Sequence, residues 1–272
     1  MSVVHQVAQS GFGAGTNELY DRARPSYQKV SLDFIRDALP SHGELNVLEI
    51  GAGTGIFTRA LLADPAWNNS IRELRAVEPS EGMRNAFTSK ITDKRVSISD
   101  GVFQSTGAQD AWADLIVIAQ AFHWCPDYNA ASAEFARVLK PQGIMAFIWN
   151  LEDREGAEWV GRLRDAYEAH EQGTPQFRLM LWRQAFETPS YKQNFQKPEE
   201  HVSSYTLHTT KEHVVDRVFS KSYIAVLPDD QKTEVKNAVQ KILDESNKSW
   251  IDEAEGIFEY PYRSFTVVAR RK

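Results

Sequence analysis

Residues Leu45-Asn-Val-Leu-Glu-Ile-Gly-Ala-Gly-Thr-Gly-Ile-Phe-Thr58 constrain the fold more than any other stretch of the chain. An apolar run from Val47 to Ile50, with Glu49 as its one acid, breaks into Gly51, Gly53 and Gly55. Helical spacing then resumes with Phe57, Leu61 and Leu62. This predicts a buried strand, a tight turn through Gly51, Ala52, Gly53, Thr54 and Gly55, and a helix N-terminus. Such a turn lets backbone N–H groups and the positive end of a helix approach a ligand closely. The competing reading is a dinucleotide fingerprint, GxGxxG at the start of a βαβ unit. Here the third glycine falls one position early, and Ile56 stands where that motif wants glycine. Glu49, two residues before the first glycine, can accept from an ammonium group, which a pyrophosphate lacks. The turn suits a ligand with an amino-acid end.

The next strand, Ile71 to Glu78, ends on an acid just before Pro79-Ser80-Glu81-Gly82-Met83. An acid at this offset from a glycine turn can take both hydroxyls of a ribose; in isolation it reads as a surface carboxylate. Ser80 suits the N-cap of the following helix. Met83 offers a soft apolar surface for an adenine.

These segments, with Gln120-Ala-Phe-His-Trp124 and the early Tyr20-Asp-Arg-Ala-Arg-Pro-Ser-Tyr27, resemble class I S-adenosylmethionine-dependent methyltransferases. They are most similar to the fungal small-molecule enzymes of the trans-aconitate methyltransferase type. The resemblance covers roughly residues 15 to 150 and beyond them rests on element order alone. It implies S-adenosylmethionine as cofactor and a Rossmann-like α/β fold, a mostly parallel seven-stranded sheet whose last two strands supply an antiparallel edge. It further implies adenine contacts in the loop after the third strand. The matching positions are Gly101, Val102 and Phe103, and Val102 departs from the family pattern because its side chain cannot hydrogen-bond the exocyclic amine. Asp100 or the Phe103 backbone would then have to take that place.

Element order agrees with that fold. Strands at 45–50, 72–78, 96–99, 113–119 and 144–149 alternate with helices at 54–63, 80–91 and 128–139. A first helix is predicted over 26–39. Residues 151–200 are polar, helical and studded with aromatic residues, including Trp182; they read as a cap over the pocket mouth or as helices that simply pack on the sheet. Residues 201–272 return to the core with strands at 202–207 and 264–269 and helices at 210–219, opened by Thr209 and Glu212, and 230–245. The chain is read as one domain over 1–272, with a lid over 1–44, a donor-binding core over 45–150, a cap over 151–200 and a C-terminal completion of the sheet.

A net charge of −6 and a pI near 5.7 leave no basic footprint for nucleic acid. The lone cysteine, Cys125, excludes an internal disulfide and a multi-cysteine metal site. His201, His208 and His213 lack metal-ligand spacing, and no metal is expected. No apolar run approaches a membrane span. Residues 1–15 are expected to be a mobile, small-residue tail without the charge and apolar core of a secretory signal, which makes a cytoplasmic location the default.

The candidate donor-binding set also includes Tyr20, Gln120 and Ala121. His123 follows the fourth strand, where donor and acceptor meet; it is either a general base or a neutral pocket residue. Trp124 and Trp149 stand at adjacent strand ends and form an aromatic wall or belong to the core. Arg24 holds a carboxylate or forms a surface ion pair. Arg162, Arg164, Arg178 and Arg183 in the cap are further candidates for an acidic acceptor. Methyl transfer to a small-molecule oxygen is the function implied. A donor-binding protein without turnover and a nicotinamide-dependent oxidoreductase are the rival readings. Oligomeric state is not legible.

Overall fold

The computed structural model describes residues 17–272; the tail and leader expectations for residues 1–15 lie outside the described residues. Eight strands form one sheet: β1 (Leu45–Ile50), β2 (Ile71–Val77), β3 (Val96–Ser99), β4 (Ala113–Ala119), β5 (Leu139–Glu152), β6 (Glu199–Thr209), β7 (Trp250–Asp252) and β8 (Ile257–Arg270). Their order is β3-β2-β1-β4-β5-β8-β6, with β7 on β8. The first five strands are parallel. β8 runs antiparallel to β5, β6 and β7.

One point departs from expectation. The sheet has an eighth, three-residue strand, β7, whose exposed Trp-Ile-Asp carries too little pattern to be read as a strand. The last two expected strands supply the antiparallel edge: β8 inserts between β5 and β6, and β6 is the outermost strand. The burial of β8 alternates up to Thr266 and is continuous from there to Ala269, as a strand covered on both faces requires.

The helices are α1 (Asn17–Ala23), α2 (Lys29–Asp37), α3 (Ile56–Ala63), α4 (Pro65–Asn68), α5 (Glu81–Lys90), α6 (Tyr128–Val138), α7 (Glu158–Glu168), α8 (Pro189–Asn194), α9 (Lys211–Phe219), α10 (Ser222–Ala225) and α11 (Asp229–Glu245). Side chains alternate across β4, so Leu115 and Val117 face one core layer while Ile116 and Ile118 face the other. The first layer is closed by Leu32 and Ile35 of α2 and Phe57 and Leu61 of α3. The second is closed by Phe135 of α6 together with Phe177, Trp182 and Tyr191. A third cluster joins α7, α9, α10 and α11 to the far end of β8. Residues 177–195 pack on the sheet through Phe177, Trp182, Tyr191 and Phe195, while the stretch from Tyr167 to Arg178 reaches the cleft described below. The cap on α9 is Thr210, not Thr209: its hydroxyl accepts from the His213 N–H at 3.4 Å. Among the described residues no helix is long and apolar enough to cross a membrane.

Candidate active site

All three glycines of the turn adopt the left-handed conformation, with φ of 73° at Gly51, 57° at Gly53 and 83° at Gly55. A Cβ on Gly51 would stand 2.7 Å from the Ala121 Cβ, so the turn also demands the absence of a side chain. Glu78 locks the loop to α5. One of its carboxylate oxygens accepts from the Gly53 N–H at 3.0 Å and the other from the Ser80 N–H at 2.9 Å. Ser80 in turn caps α5 by accepting from Met83 N–H at 3.4 Å. Burial raises the Glu78 pKa despite these two donors. Each oxygen keeps a lone pair for a further donor, which suits a diol.

Gly51, Gly53, Glu78, Pro79, Met83, Val102 and Phe103 line one side of a cleft; Tyr20, Arg24, Gln120, Ala121, His123 and Trp124 also line it. Six expected contacts do not. Glu49 is 1% exposed and turned towards α3, where the Thr58 hydroxyl donates to it. It anchors the loop from beneath, and burial lifts its pKa to about 8, so it is not the acceptor for an ammonium in the cleft. Ala52 is buried with its N–H on the Val77 carbonyl at 3.2 Å. The Thr54 hydroxyl donates to Asp21 at 2.7 Å. Gly55 caps α3, where a Cβ would meet Ile91 at 2.5 Å. Trp149 and Trp182 are core residues at 0% and 1% exposure, held by mutual packing and by Phe177.

The turn after β3 supplies a residue that sequence reasoning missed. Val102 and Ser105 exchange backbone hydrogen bonds at 3.1 Å, which carries Phe103 and Gln104 to the tip, against the cleft. The Gln104 Oε1 is buried there without a partner, an arrangement that calls for an N–H donor from a ligand. Asp100, the expected substitute for Val102, is 75% exposed and pairs with Arg84 instead. No signal in the local sequence distinguishes Gln104 from any surface glutamine.

The other side of the cleft is cationic. β5 runs three residues past the expected Trp149 and carries Glu152 beneath the cleft, where it is fully enclosed. Arg217 of α9 pairs with it at 2.9 Å and Lys221 at 3.2 Å; both cations line the cleft. Burial alone would raise the Glu152 pKa, but Arg217 and Lys221 hold its carboxyl far below the usual range. Burial and the neighbouring Arg217 bring the Lys221 ammonium down to about 7. Arg24 donates to the Ser220 carbonyl at 3.0 Å and lies over the Tyr20 ring at 4.3 Å. It forms no ion pair among the described residues, and its Nε is buried without a partner, so the surface salt bridge is excluded. Of the cap arginines only Arg178 lines the cleft, paired with Glu168 and Glu171. Arg164 is buried behind it on Glu168, while Arg162 and Arg183 form exposed pairs with Glu245 and Glu200. Thus Arg24, Arg164, Arg178 and Arg217, with Lys221 partly protonated near pH 7, face Glu152, Glu168 and Glu171. That side of the cleft is left positive.

Between the two sides stands His123. Burial, then the charge of Arg24, lowers its pKa to about 3, so its imidazole is neutral at physiological pH. Among the described residues no cluster of side chains is arranged to hold a metal.

Residues 48–147 match the family described as Methyltransferase domain. An uncharacterized methyltransferase-like protein of Schizosaccharomyces pombe is 28% identical over 223 residues, 82% of each chain. The malonyl-acyl-carrier-protein O-methyltransferase of Pectobacterium atrosepticum is 27% identical over 143 residues, 52% of each chain. The fold of the YcgJ protein of Bacillus subtilis superimposes with a TM-score of 0.56 at 19% identity, covering 90% of this chain and 99% of that one.

Proposed function

From the premise that this chain is a class I S-adenosylmethionine-dependent methyltransferase, we propose that it methylates a carboxylate oxygen of a small acidic molecule. S-adenosylmethionine, when bound, supplies a methyl carbon on a positively charged sulfur. The glycine turn would hold its amino-acid end, Glu78 its ribose, and Met83 with the turn over 102–104 its adenine. The unpartnered Gln104 Oε1 is an acceptor matched to the adenine's exocyclic amine.

One observation carries the acceptor class: the excess of cations opposite the glycine turn. Arg217 and Lys221 are only 4% and 7% exposed, so their charge is reached by the end of a small anion rather than by a broad surface. A carboxylate is already ionised at pH 7 and needs no base. That agrees with a His123 too weakly basic to remove a proton near neutrality. The chain's task is then to hold the nucleophilic oxygen in line and to exclude water, which by itself supplies several kcal/mol. The Pectobacterium relative is by name an O-methyltransferase, which agrees with oxygen as the acceptor atom. A hydroxyl acceptor is the second reading, favoured by Lys221, whose lowered pKa would let its amine take a proton.

The test is to incubate the protein with methyl-labelled donor and a panel of di- and tricarboxylic acids, alcohols, phenols and amines. Mild alkali hydrolyses methyl esters to methanol and leaves ethers and methylamines intact. Labelled methanol released from an acid's product supports the proposal. An alkali-stable product overturns it, and an ether from an alcohol or phenol selects the second reading.

A further inference from the structure

The β5 tryptophan, Trp149, makes one polar contact: its indole N–H donates to the Nδ1 of His123 at 3.3 Å. An indole nitrogen can only donate, so Nδ1 must be the accepting, unprotonated nitrogen. A neutral imidazole then carries its proton on Nε2. The ring lines the cleft, and Nε2 is the nitrogen that Trp149 leaves unengaged. We infer that Trp149 is a positioning residue that fixes His123 in the Nε2–H form, making it a hydrogen-bond donor to the acceptor rather than a base.

The arrangement is rigid on the side away from the cleft. Trp149 is fully buried, with the rings of Phe177 and Trp182 each 4.6 Å away. Those two residues belong to the 151–200 insert, so the insert's packing decides which His123 nitrogen is free. A donor on the cleft side has a chemical consequence that rests on the carboxylate reading above. By binding one oxygen of a carboxylate, the Nε2–H leaves the other oxygen as the nucleophile and limits rotation about the carboxyl bond. No proton changes owner in the step. The charged group acting on the ring is Arg24, which further opposes imidazolium formation.

The tautomer is tested without any substrate, so its failure is separable from failure of the carboxylate reading. Long-range nitrogen–proton correlation spectra of histidine-labelled protein, with His123 assigned by the H123Q variant, should show the Nε2–H form and no titration from pH 5 to 9. In W149F, which keeps a stacking ring but removes the N–H, a mixture of tautomers should appear. The Nδ1–H form or a titrating imidazolium in the unmodified protein overturns the inference, as does an unchanged tautomer in W149F. Kinetics give a second arm once an acceptor is known. H123Q retains an amide N–H donor and should keep kcat within about ten-fold, whereas H123L should lose about 10- to 100-fold, the span of one hydrogen bond to a charged group. Equal, larger losses in both variants, with a pH limb near neutrality in the unmodified enzyme, would restore the base.

Discussion

A carboxyl group with 1% of its surface exposed, answered by a threonine hydroxyl, keeps its proton into the neutral range. Glu49 is that group, with burial raising its pKa from 4.5 to about 8. Because the folded value lies above the unfolded one, its contribution to stability is complete below about pH 4.5 and is lost as pH rises through about 8. Glutamine in its place is neutral throughout. The melting temperature of the unmodified protein should therefore fall more steeply between pH 5 and 9 than that of E49Q, measured by differential scanning fluorimetry in matched buffers. Parallel curves would show that Glu49 ionises freely in the folded protein. At the same scale, Glu78 holds Gly53 and Ser80 as well as facing the cleft. E78A should thus weaken donor affinity by about 1.5–3 kcal/mol, read by calorimetry, and also loosen the loop it bridges.

Helix α1 is fastened at both ends of the cleft by different partners. Asp21 accepts from Thr54 at 2.7 Å and pairs with Arg59 at 2.7 Å and Lys90 at 2.9 Å, all on the glycine-turn side. Arg22 pairs with Asp216 at 2.7 Å and Arg24 reaches Ser220, both on α9 or just beyond it. D21A removes the first set without touching the cleft lining. Amide hydrogen exchange in α1 and the donor's dissociation rate should both rise, and an unchanged exchange pattern would mean that α9 alone holds the helix. Elements of this kind mark the boundary of what the sequence discloses. The glycine turn, the acid of Glu78 and the alternation of strands and helices are contiguous signals, set by local backbone requirements, and they appear as written. The cationic side joins Arg24, Glu152, Arg217 and Lys221, which only the folded chain brings together. Glu152 takes part because β5 and β8 pair beyond the point where the apolar run stops. The places of Trp149 and Trp182 were not legible for a related reason, since aromatic residues at strand ends and in an insert pack equally well inward or towards a ligand.

Across the molecule, Glu152 joins the sheet to the α9–α10 segment. Removing its carboxylate leaves Arg217 and Lys221 buried against each other, so E152A should destabilise folding by about 3–5 kcal/mol in urea titrations. The pH signature is opposite to that of Glu49. Here the folded pKa is depressed, so the stability is present above the ordinary carboxylate range and is lost as pH falls through and below it. A loss under 1 kcal/mol would mean that the two cations find other partners or shed a proton. The ties of α1 have a consequence for how the two ligands communicate. One helix is bound to the glycine-turn side through Asp21 and to the cationic side through Arg22 and Arg24, so with donor and acceptor seated as proposed, whichever ligand steadies it prepares the other's site. Reciprocity then requires that acceptor tighten donor binding by the same factor as donor tightens acceptor binding, although neither effect needs the two molecules to touch.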